Sequence, residues 1–259
     1  QGQLVNSGLR YLSVWQSAMG GEWRATDDMA LTLEAFYKHY YHIPLSTLDG
    51  IPLTCKGADY GIVGNERLTS TATGRAYGLE LLFRWLKPDR LNLTGSLTWF
   101  RSAYRPSAGA DYIDSPWDNR FILNLSGTLE LPRHWSLGAK VSLLGGTPYT
   151  PYDEEASSYV TYWDANGRSL PDYTRYNAGR SPLYTQYDVR IDKEWYFPRW
   201  RMGMFLNLQN VRIQQQAVYM STGEVVNPTT PLADRRYRMK RVGQDSNTIV
   251  PSIGLTAEF

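Results

Sequence analysis

The sequence predicts an all-β fold, an antiparallel transmembrane β-barrel segment of about nine strands. Apolar and polar residues alternate with a period of two in one segment after another, which is typical of strands and not of helices. Short turns and long loops alternate between these segments, as they do in membrane barrels. Aromatic residues make up 14% of the chain, a content that fits two interfacial belts.

The clearest strand pair is residues 184–210. Val189 and Ile191 share an apolar face in the first arm, and the residues that alternate with this face are charged or polar. Pro198 breaks the run, and the second arm alternates again around Met204. Aromatic residues cluster beside the break, as expected for a barrel hairpin whose turn lies at a membrane interface.

The other strands follow the same rule along the chain. They are predicted, in order, at residues 13–25, 30–41, 75–85, 91–99, 121–131, 135–143 and 248–259. Turns rich in Asp and Pro are predicted at residues 26–28, 87–89 and 132–134. Long loops are predicted at residues 43–73, 104–116, 145–182 and 211–247. Such loops argue against a compact soluble domain, whereas outer-membrane barrels carry short periplasmic turns and long extracellular loops.

Composition excludes several classes of protein. No run of about 18 apolar residues is present, so no transmembrane helix is predicted. The net charge of +2 does not favour nucleic acid as a partner. A single cysteine, Cys55, excludes an intrachain disulfide. The first residues do not resemble a signal peptide, so we expect a mature chain or a fragment.

An odd number of strands predicts an incomplete barrel. Nine strands cannot close in an all-antiparallel order, and the polar face carries many charges that suit the interior of a wide barrel. These charges are Glu34, Lys38, Glu80, Arg84, Glu130, Asp188, Arg190, Asp192 and Glu194. We therefore expect residues 1–259 to be the C-terminal part of a larger barrel.

Several motifs, in this order, carry a resemblance to a known family. They are Thr73-Gly74-Arg75-Ala76-Tyr77-Gly78-Leu79-Glu80-Leu81, residues 117–124 beginning Trp117-Asp118-Asn119-Arg120, residues 145–153 beginning Gly145-Gly146-Thr147-Pro148-Tyr149, residues 186–193 with 207–211, and residues 251–259. Together they resemble the C-terminal barrel of TonB-dependent outer-membrane receptors, in particular the Bacteroidetes type.

The resemblance implies a bacterial outer-membrane transporter for nutrient uptake. In this family a 22-stranded barrel is occluded by an N-terminal plug, and TonB relays the energy for import. The plug and the first strands would then lie outside this chain, in the same polypeptide or in another one. The terminal Phe259 resembles the signal that the barrel-assembly machinery reads.

A basic run in the last loop is one candidate ligand site. Its residues are Arg235-Arg236-Tyr237-Arg238-Met239-Lys240-Arg241. Arginine forks suit phosphate and carboxylate groups, so Arg235, Arg236 and Arg238 are predicted to contact lipopolysaccharide or an anionic ligand. The alternative is a solvated strand extension whose charges pair with other loops.

The longest loop is the second candidate. It is rich in aromatic residues, namely Tyr149, Tyr152, Tyr159, Tyr162, Trp163, Tyr173 and Tyr176. Of these, Tyr149, Tyr152, Tyr159 and Trp163 are the predicted ligand contacts, because aromatic faces stack on sugars and rings. Packing of the loop on its neighbours is the alternative interpretation.

No catalytic or metal site is predicted, and no cofactor. Asp153, Glu154, Glu155 and Asp164 match no calcium-loop template. Cys55 has no histidine nearby in sequence and is interpreted as an incidental thiol. The predicted function is therefore transport and not catalysis.

Two other functions stay open, as does the substrate. One is another outer-membrane channel, and the other is a soluble adhesion or carbohydrate-binding module. Siderophore, haem, cobalamin, peptide and glycan are all compatible substrates. Expected partners are membrane lipid and lipopolysaccharide, the rest of the receptor and TonB through the plug, with a surface lipoprotein lid left open.

Overall fold

The computed structural model describes residues 5–56, 64–211, 215–245 and 248–259. Strands account for 61% of the structure and helices for 9%, so the predicted all-β fold class is confirmed. In these ranges no helix combines the length and the apolar character needed to span a membrane.

Nine long strands form one antiparallel meander, and five shorter or separate strands accompany it. In chain order the strands are β1 (Ser13–Thr26), β2 (Met29–Ser46), β3 (Leu68–Lys87), β4 (Leu91–Arg105), β5 (Ile113–Asp114), β6 (Phe121–Leu131), β7 (Trp135–Leu144), β8 (Pro148–Tyr149), β9 (Gly179–Arg180), β10 (Tyr184–Tyr196), β11 (Arg201–Gln209), β12 (Gln215–Val225), β13 (Tyr237–Asp245) and β14 (Val250–Glu258). The meander runs β1-β2-β3-β4-β6-β7-β10-β11-β14, and β5 pairs with the end of β4. These nine strands correspond to the nine predicted ones.

The connections alternate between the two ends of the sheet. Residues 27–28, 88–90, 132–134 and 197–200 make the short turns at one end. The long loops at the other end are L1 (residues 47–67), L2 (residues 106–120), L3 (residues 145–183) and L4 (residues 210–249). The predicted asymmetry of the two ends is therefore present.

One face of the sheet is apolar and uncovered. The register aligns a continuous row of aliphatic side chains, which is Leu91, Leu129, Leu137, Ile191, Leu206 and Ile253. Leu79 is 46% exposed and Leu125 is 39% exposed. Among the described residues no second sheet packs on this face, as a soluble sandwich would require.

The sheet is also open at both sides. In the described chain β1 pairs only with β2, and β14 pairs only with β11. Every residue of β1 is exposed. An unpaired edge presents a row of free backbone groups, so each side has the capacity to accept a further strand.

The loops contain structure of their own. L3 carries α1 (Glu154–Ser158) and α2 (Val160–Asn166), and single 3-10 turns are found at Leu53–Cys55, Tyr173–Arg175 and Leu232–Asp234. The prediction of a loop throughout residues 211–247 was wrong, because β12 and β13 form a hairpin there. That hairpin lacks the regular apolar alternation of the wall strands, which is the signal on which the prediction relied.

Candidate functional site at the long-loop end

L1, L2 and L3 meet in a small apolar core at the ends of the wall strands. Ile51 and Cys55 of L1 are buried with Tyr104 of β4, and Ile113 and Tyr176 pack against them. Burial raises the pKa of the Cys55 thiol to about 11, so the thiol is protonated at neutral pH. This geometry makes Cys55 a packing residue, in line with its interpretation as an incidental thiol.

A partly buried cluster of one lysine and two carboxylates closes the base of L1. Lys56 Nζ lies 2.7 Å from Asp49 Oδ2 and 2.7 Å from Glu66 Oε1. The hydrogen bond from Lys56 lowers the pKa of the Glu66 carboxyl to about 2. The Gly64 amide donates to Glu66 Oε2 at 3.2 Å, so the carboxylate also fixes the backbone of the loop.

Asp118 joins L2, L3 and the wall. Its side chain is fully buried and accepts hydrogen bonds from the Ser102 amide at 2.6 Å and from Arg180 Nη2 at 2.9 Å. Arg180 Nη2 also donates to Asp114 at 2.8 Å, and Arg101 Nη2 donates to the same carboxylate at 2.7 Å. We call Asp114, Asp118, Arg101 and Arg180 the rim cluster.

Two glycines allow the backbones to approach at this cluster. A Cβ on Gly145 would lie 1.8 Å from Asn119 O, and one on Gly146 would lie 1.7 Å from Ser181 O. Arg180 Nη1 donates to Gly146 O at 2.7 Å. The sequence-level resemblance included both the Gly-Gly and the Trp-Asp-Asn-Arg motifs, and the rim cluster gives each a physical reason.

L3 presents a pair of short helices toward L4. The Asp153 side chain caps α1 by accepting the Ala156 amide at 2.9 Å. Gly167 ends α2 in the left-handed region, with φ 63°. The two helices hold Tyr159 at their junction, where it faces the β12–β13 hairpin.

Arg236 is the centre of the contact between L3 and L4. Its guanidinium lies 3.2 Å from Glu155 Oε1, donates to Tyr159 Oη at 2.7 Å and stacks 4.3 Å from the centroid of the same ring. The Val160 amide donates to Arg235 O at 3.0 Å, so backbone and side chains act together. We call this arrangement the L3–L4 contact.

Two further polar pairs extend the L3–L4 contact. Arg241 is hydrogen-bonded to Glu154, and Tyr237 Oη donates to Asp164 Oδ1 at 3.0 Å. The hydrogen bond to Asp164 raises the pKa of the Tyr237 phenol. Three of the four acids considered above for calcium, namely Glu154, Glu155 and Asp164, are thus partners of the basic run.

The other predicted arginines have intramolecular partners as well. Arg235 Nε donates to Thr230 O at 2.9 Å, and Arg238 Nη1 lies 3.2 Å from Glu224. Their side chains therefore match the strand-extension alternative. Their role as ligand contacts stays a prediction.

The predicted aromatic contacts are dispersed over L3. The Tyr149 ring covers Gly179, where a Cβ would lie 2.6 Å from Tyr149 Cζ, and Tyr159 is occupied by Arg236. Tyr152 forms an isolated bridge with Pro171 and keeps an exposed ring, whereas Trp163 is half-buried. The structure does not gather these four side chains into one pocket, and their ligand contact also stays a prediction.

The chain ends in an aromatic stack at the short-turn end. Phe259 is 98% exposed, and its ring lies 6.2 Å from that of Trp200, which stacks on Phe197 at 4.2 Å. An exposed terminal ring suits recognition by another protein, so the predicted assembly signal stays open.

The polar face of the wall carries a shallow depression. It has a volume of about 350 Å³, and Lys140, Asp188 and Arg190 are among its lining residues. Asp188 lies beside Lys140 in the register and accepts from the Asn210 amide at 3.0 Å. Asp188 and Arg190 lie on the face that their alternation predicts. The rim cluster was not predicted, since Asp118 alone of its four residues lies in the motifs quoted above.

An open antiparallel sheet with an uncovered apolar face, a charged face and long loops joined at one end defines the wall of an outer-membrane β-barrel. Comparison with protein families agrees, because residues 8–211 match the family "TonB dependent receptor-like, beta-barrel". The chain belongs to this family. The family is one of outer-membrane transport receptors, and the predicted localisation is confirmed.

Solved structures show the same fold at low sequence identity. The ferric-catecholate import receptor Fiu of E. coli K12 is 14% identical, with a TM-score of 0.56 over 99% of this chain and 29% of that one. The siderophore receptor PiuA of Acinetobacter baumannii is 12% identical, with a TM-score of 0.56 over 95% and 28%. The ferric yersiniabactin uptake receptor FyuA of Yersinia pestis is 15% identical, with a TM-score of 0.53 over 96% and 30%. The chain thus spans less than a third of each receptor, and no curated protein compared by sequence matches it.

Proposed function

We propose that this chain is the C-terminal part of the barrel of a TonB-dependent nutrient-uptake receptor of the Bacteroidetes type. It supplies part of the barrel wall and the extracellular loops that gate the ligand path. Catalysis has no part in this function. The proposal rests on the open sheet. Each of its two unpaired edges can pair with a further strand, and its charged face can pack against further protein.

The missing partners follow from these surfaces. Further strands of a 22-stranded barrel pair with β1 and β14, and a plug docks on the charged face around Lys140, Asp188 and Arg190. TonB acts through that plug. Lipid covers the apolar face, and a surface lipoprotein lid is a candidate partner of L1–L4.

The L3–L4 contact supports a gating role for the loops. L3 is anchored to the wall by the rim cluster, whereas L4 reaches L3 through two exposed ion pairs, two tyrosine hydrogen bonds, one cation–π contact and a single backbone bridge. Exposed ion pairs contribute about 0–1 kcal/mol each and hydrogen bonds about 0.5–1.5 kcal/mol each, so the individual links between L3 and L4 are weak. We infer that L4 swings away from L3 to admit the substrate.

A reversible cross-link tests the gate. Tyr159 and Arg236 form an antiparallel bridge, so Tyr159→Cys with Arg236→Cys creates a pair close enough for a disulfide. In the full receptor, with Cys55→Ala, we expect oxidation to lower the uptake rate at least tenfold and a reductant to restore it. Unchanged uptake by the oxidised form contradicts the gate.

The matched control places a disulfide in the wall. Leu125 and Val141 are register partners on the apolar face, far from the loops. Oxidation of Leu125→Cys with Val141→Cys should leave uptake unchanged. A loss of uptake in this control would show that any cross-link stiffens the barrel and would remove the gating interpretation.

The receptor class is tested on native membranes. We expect the chain to co-purify with a plug and the preceding strands, as one polypeptide or two, in intact-mass measurements. Uptake of one substrate among siderophores, haem, cobalamin, peptides and glycans should stop when TonB is deleted. Uptake that continues without TonB would assign the chain to a passive outer-membrane channel.

A further inference from the structure

Two arginines lack acidic partners at the long-loop end of the apolar face. Arg75 of β3 and Arg105 of β4 lie on the face that carries Tyr77 and Trp99, because alternate residues of a strand share a face. Among the residues that the structure describes, neither arginine forms an ion pair. Arg75 Nε is buried without a hydrogen-bond partner, and Arg105 Nε donates only to Thr73 Oγ1, at 3.0 Å.

One tyrosine of L2 holds both guanidinium groups together. The Tyr112 ring centroid lies 3.8 Å from Arg75 Cζ and 5.2 Å from Arg105 Cζ. Cation–π contact orients each fork without neutralising its charge. Arg101 differs on this face, since Asp114 and Asp118 balance its charge. Two positive charges therefore contact one ring, and the register places their residues diagonally on adjacent strands.

The pair stands just beyond an aromatic belt. Neighbouring rings connect Trp15 to Tyr37 at 6.0 Å, Tyr37 to Tyr77 at 6.5 Å and Tyr77 to Trp99 at 6.3 Å. Such belts mark the level of the lipid headgroups in membrane barrels, and the long loops of such barrels face outward. The two guanidinium groups thus meet the headgroups of the outer leaflet, where lipopolysaccharide carries phosphates.

We propose that Arg75 and Arg105, held on Tyr112, bind a phosphate group of lipopolysaccharide at the outer surface of the barrel. Guanidinium forks match phosphate oxygens, and the stacked ring removes much of the ordering cost of binding. The site is separate from the basic run in L4, whose arginines have partners within the protein. It lies on the lipid side of the wall, so it does not depend on the proposed transport function.

The test measures lipopolysaccharide retained by the full receptor after detergent purification, by native mass spectrometry. Arg75→Gln with Arg105→Gln should lower retention at least tenfold, and Arg75→Lys with Arg105→Lys should lower it less, because lysine keeps the charge but loses the fork. The matched control is Arg90→Gln, an exposed arginine in the turn at the opposite end of the same hairpin, which should change nothing. Equal retention by the glutamine pair and the unaltered receptor overturns the proposal.

A second arm uses the unaltered receptor and distinguishes lipid from a free anion. Lipopolysaccharide stripped of its lipid A phosphates should bind at least tenfold more weakly than the intact molecule. Inorganic phosphate at millimolar concentration should not displace the intact molecule. Equal binding of the stripped lipid, or displacement by inorganic phosphate, overturns the assignment to lipopolysaccharide even if the glutamine pair fails to assemble.

Discussion

At the residue scale, a few buried polar side chains decide how the loops meet the wall. Asp118 of L2 is fully buried and accepts separate hydrogen bonds from Ser102 of β4 and Arg180 of L3. Glu66, which is only partly buried, has a similar role in L1, where Lys56 and the Gly64 amide both bind its carboxylate. Removing one partner from such a group leaves the other charge or amide unsatisfied, which costs more than the contact itself contributes.

Replacement of Asp118 should loosen the rim cluster. Asp118→Ala leaves Arg101 and Arg180 with Asp114 alone, and we expect the local free energy of opening to fall by about 3 kcal/mol. The Ser102 amide should then exchange with deuterium about a hundredfold faster in the full receptor. Asp111→Ala is the control, because Asp111 is exposed in the same loop and has no ion pair in the described structure. Equal exchange in both variants would show that Asp118 does not hold the cluster.

Acid should release the base of L1. The pKa of Glu66 is about 2 in the folded chain and about 4.3 in an unfolded one, so its contribution is present above pH 4.3 and is lost as the pH falls toward 2. We expect cleavage of L1 by pepsin to accelerate over that window. The ratio of the Glu66→Gln rate to the unaltered rate should be high near pH 5 and approach one near pH 2. A constant ratio would contradict this linkage, and Asp111→Asn serves as the control.

At the scale of the elements, alternation of faces builds the wall and close backbone contacts attach the loops. The wall strands need only their period-two pattern and their neighbours. L3 by contrast needs Gly145 and Gly146, because carbonyl oxygens of L2 and of L3 itself occupy the space of a Cβ. The helices of L3 and the hairpin of L4 are then brought together at Arg236.

Gly146→Ala should displace L3 from the rim. The added Cβ would meet Ser181 O at 1.7 Å, a backbone atom, so β8 and β9 must separate and Arg180 must leave Asp118. We expect a destabilisation of about 3 kcal/mol or more and faster cleavage by trypsin after Arg180. In Gly203→Ala the new Cβ has its nearest neighbour at 3.9 Å, so cleavage should be unchanged. Similar rates in the two variants would argue against close packing at Gly146.

At the scale of the whole molecule, the sheet is an incomplete wall whose two faces require different surroundings. The apolar row continues across six strands without a covering layer in the described structure. The opposite face is charged. Lipid on one side and protein or water on the other satisfy both faces.

Arginine substitutions should distinguish the two faces. Leu125→Arg places a charge in the middle of the apolar face and should cost about 2–4 kcal/mol, lowering the fraction of full receptor that reaches a folded, heat-modifiable state in the outer membrane. Thr128→Arg is the control, because Thr128 lies on the polar face between Asn92 and Gly138. Equal loss in both variants would show that the apolar face does not contact lipid.

The sequence by itself determined the wall. Strand order, face assignment and the alternation of turns with long loops all follow from local patterns, since side chains of a strand alternate regardless of what lies elsewhere. The hairpin in L4 was not predicted because its residues lack a regular apolar period.

Only the tertiary structure decided how the loops are joined. Asp118 and Arg180 lie in different loops, as do Tyr159 and Arg236, and no local pattern couples residues so far apart in the chain. The same holds for Arg75, Arg105 and Tyr112, whose shared position depends on how L2 returns to β4. Periodicity fixes which face a side chain occupies, whereas its partner across a loop is set by packing in three dimensions.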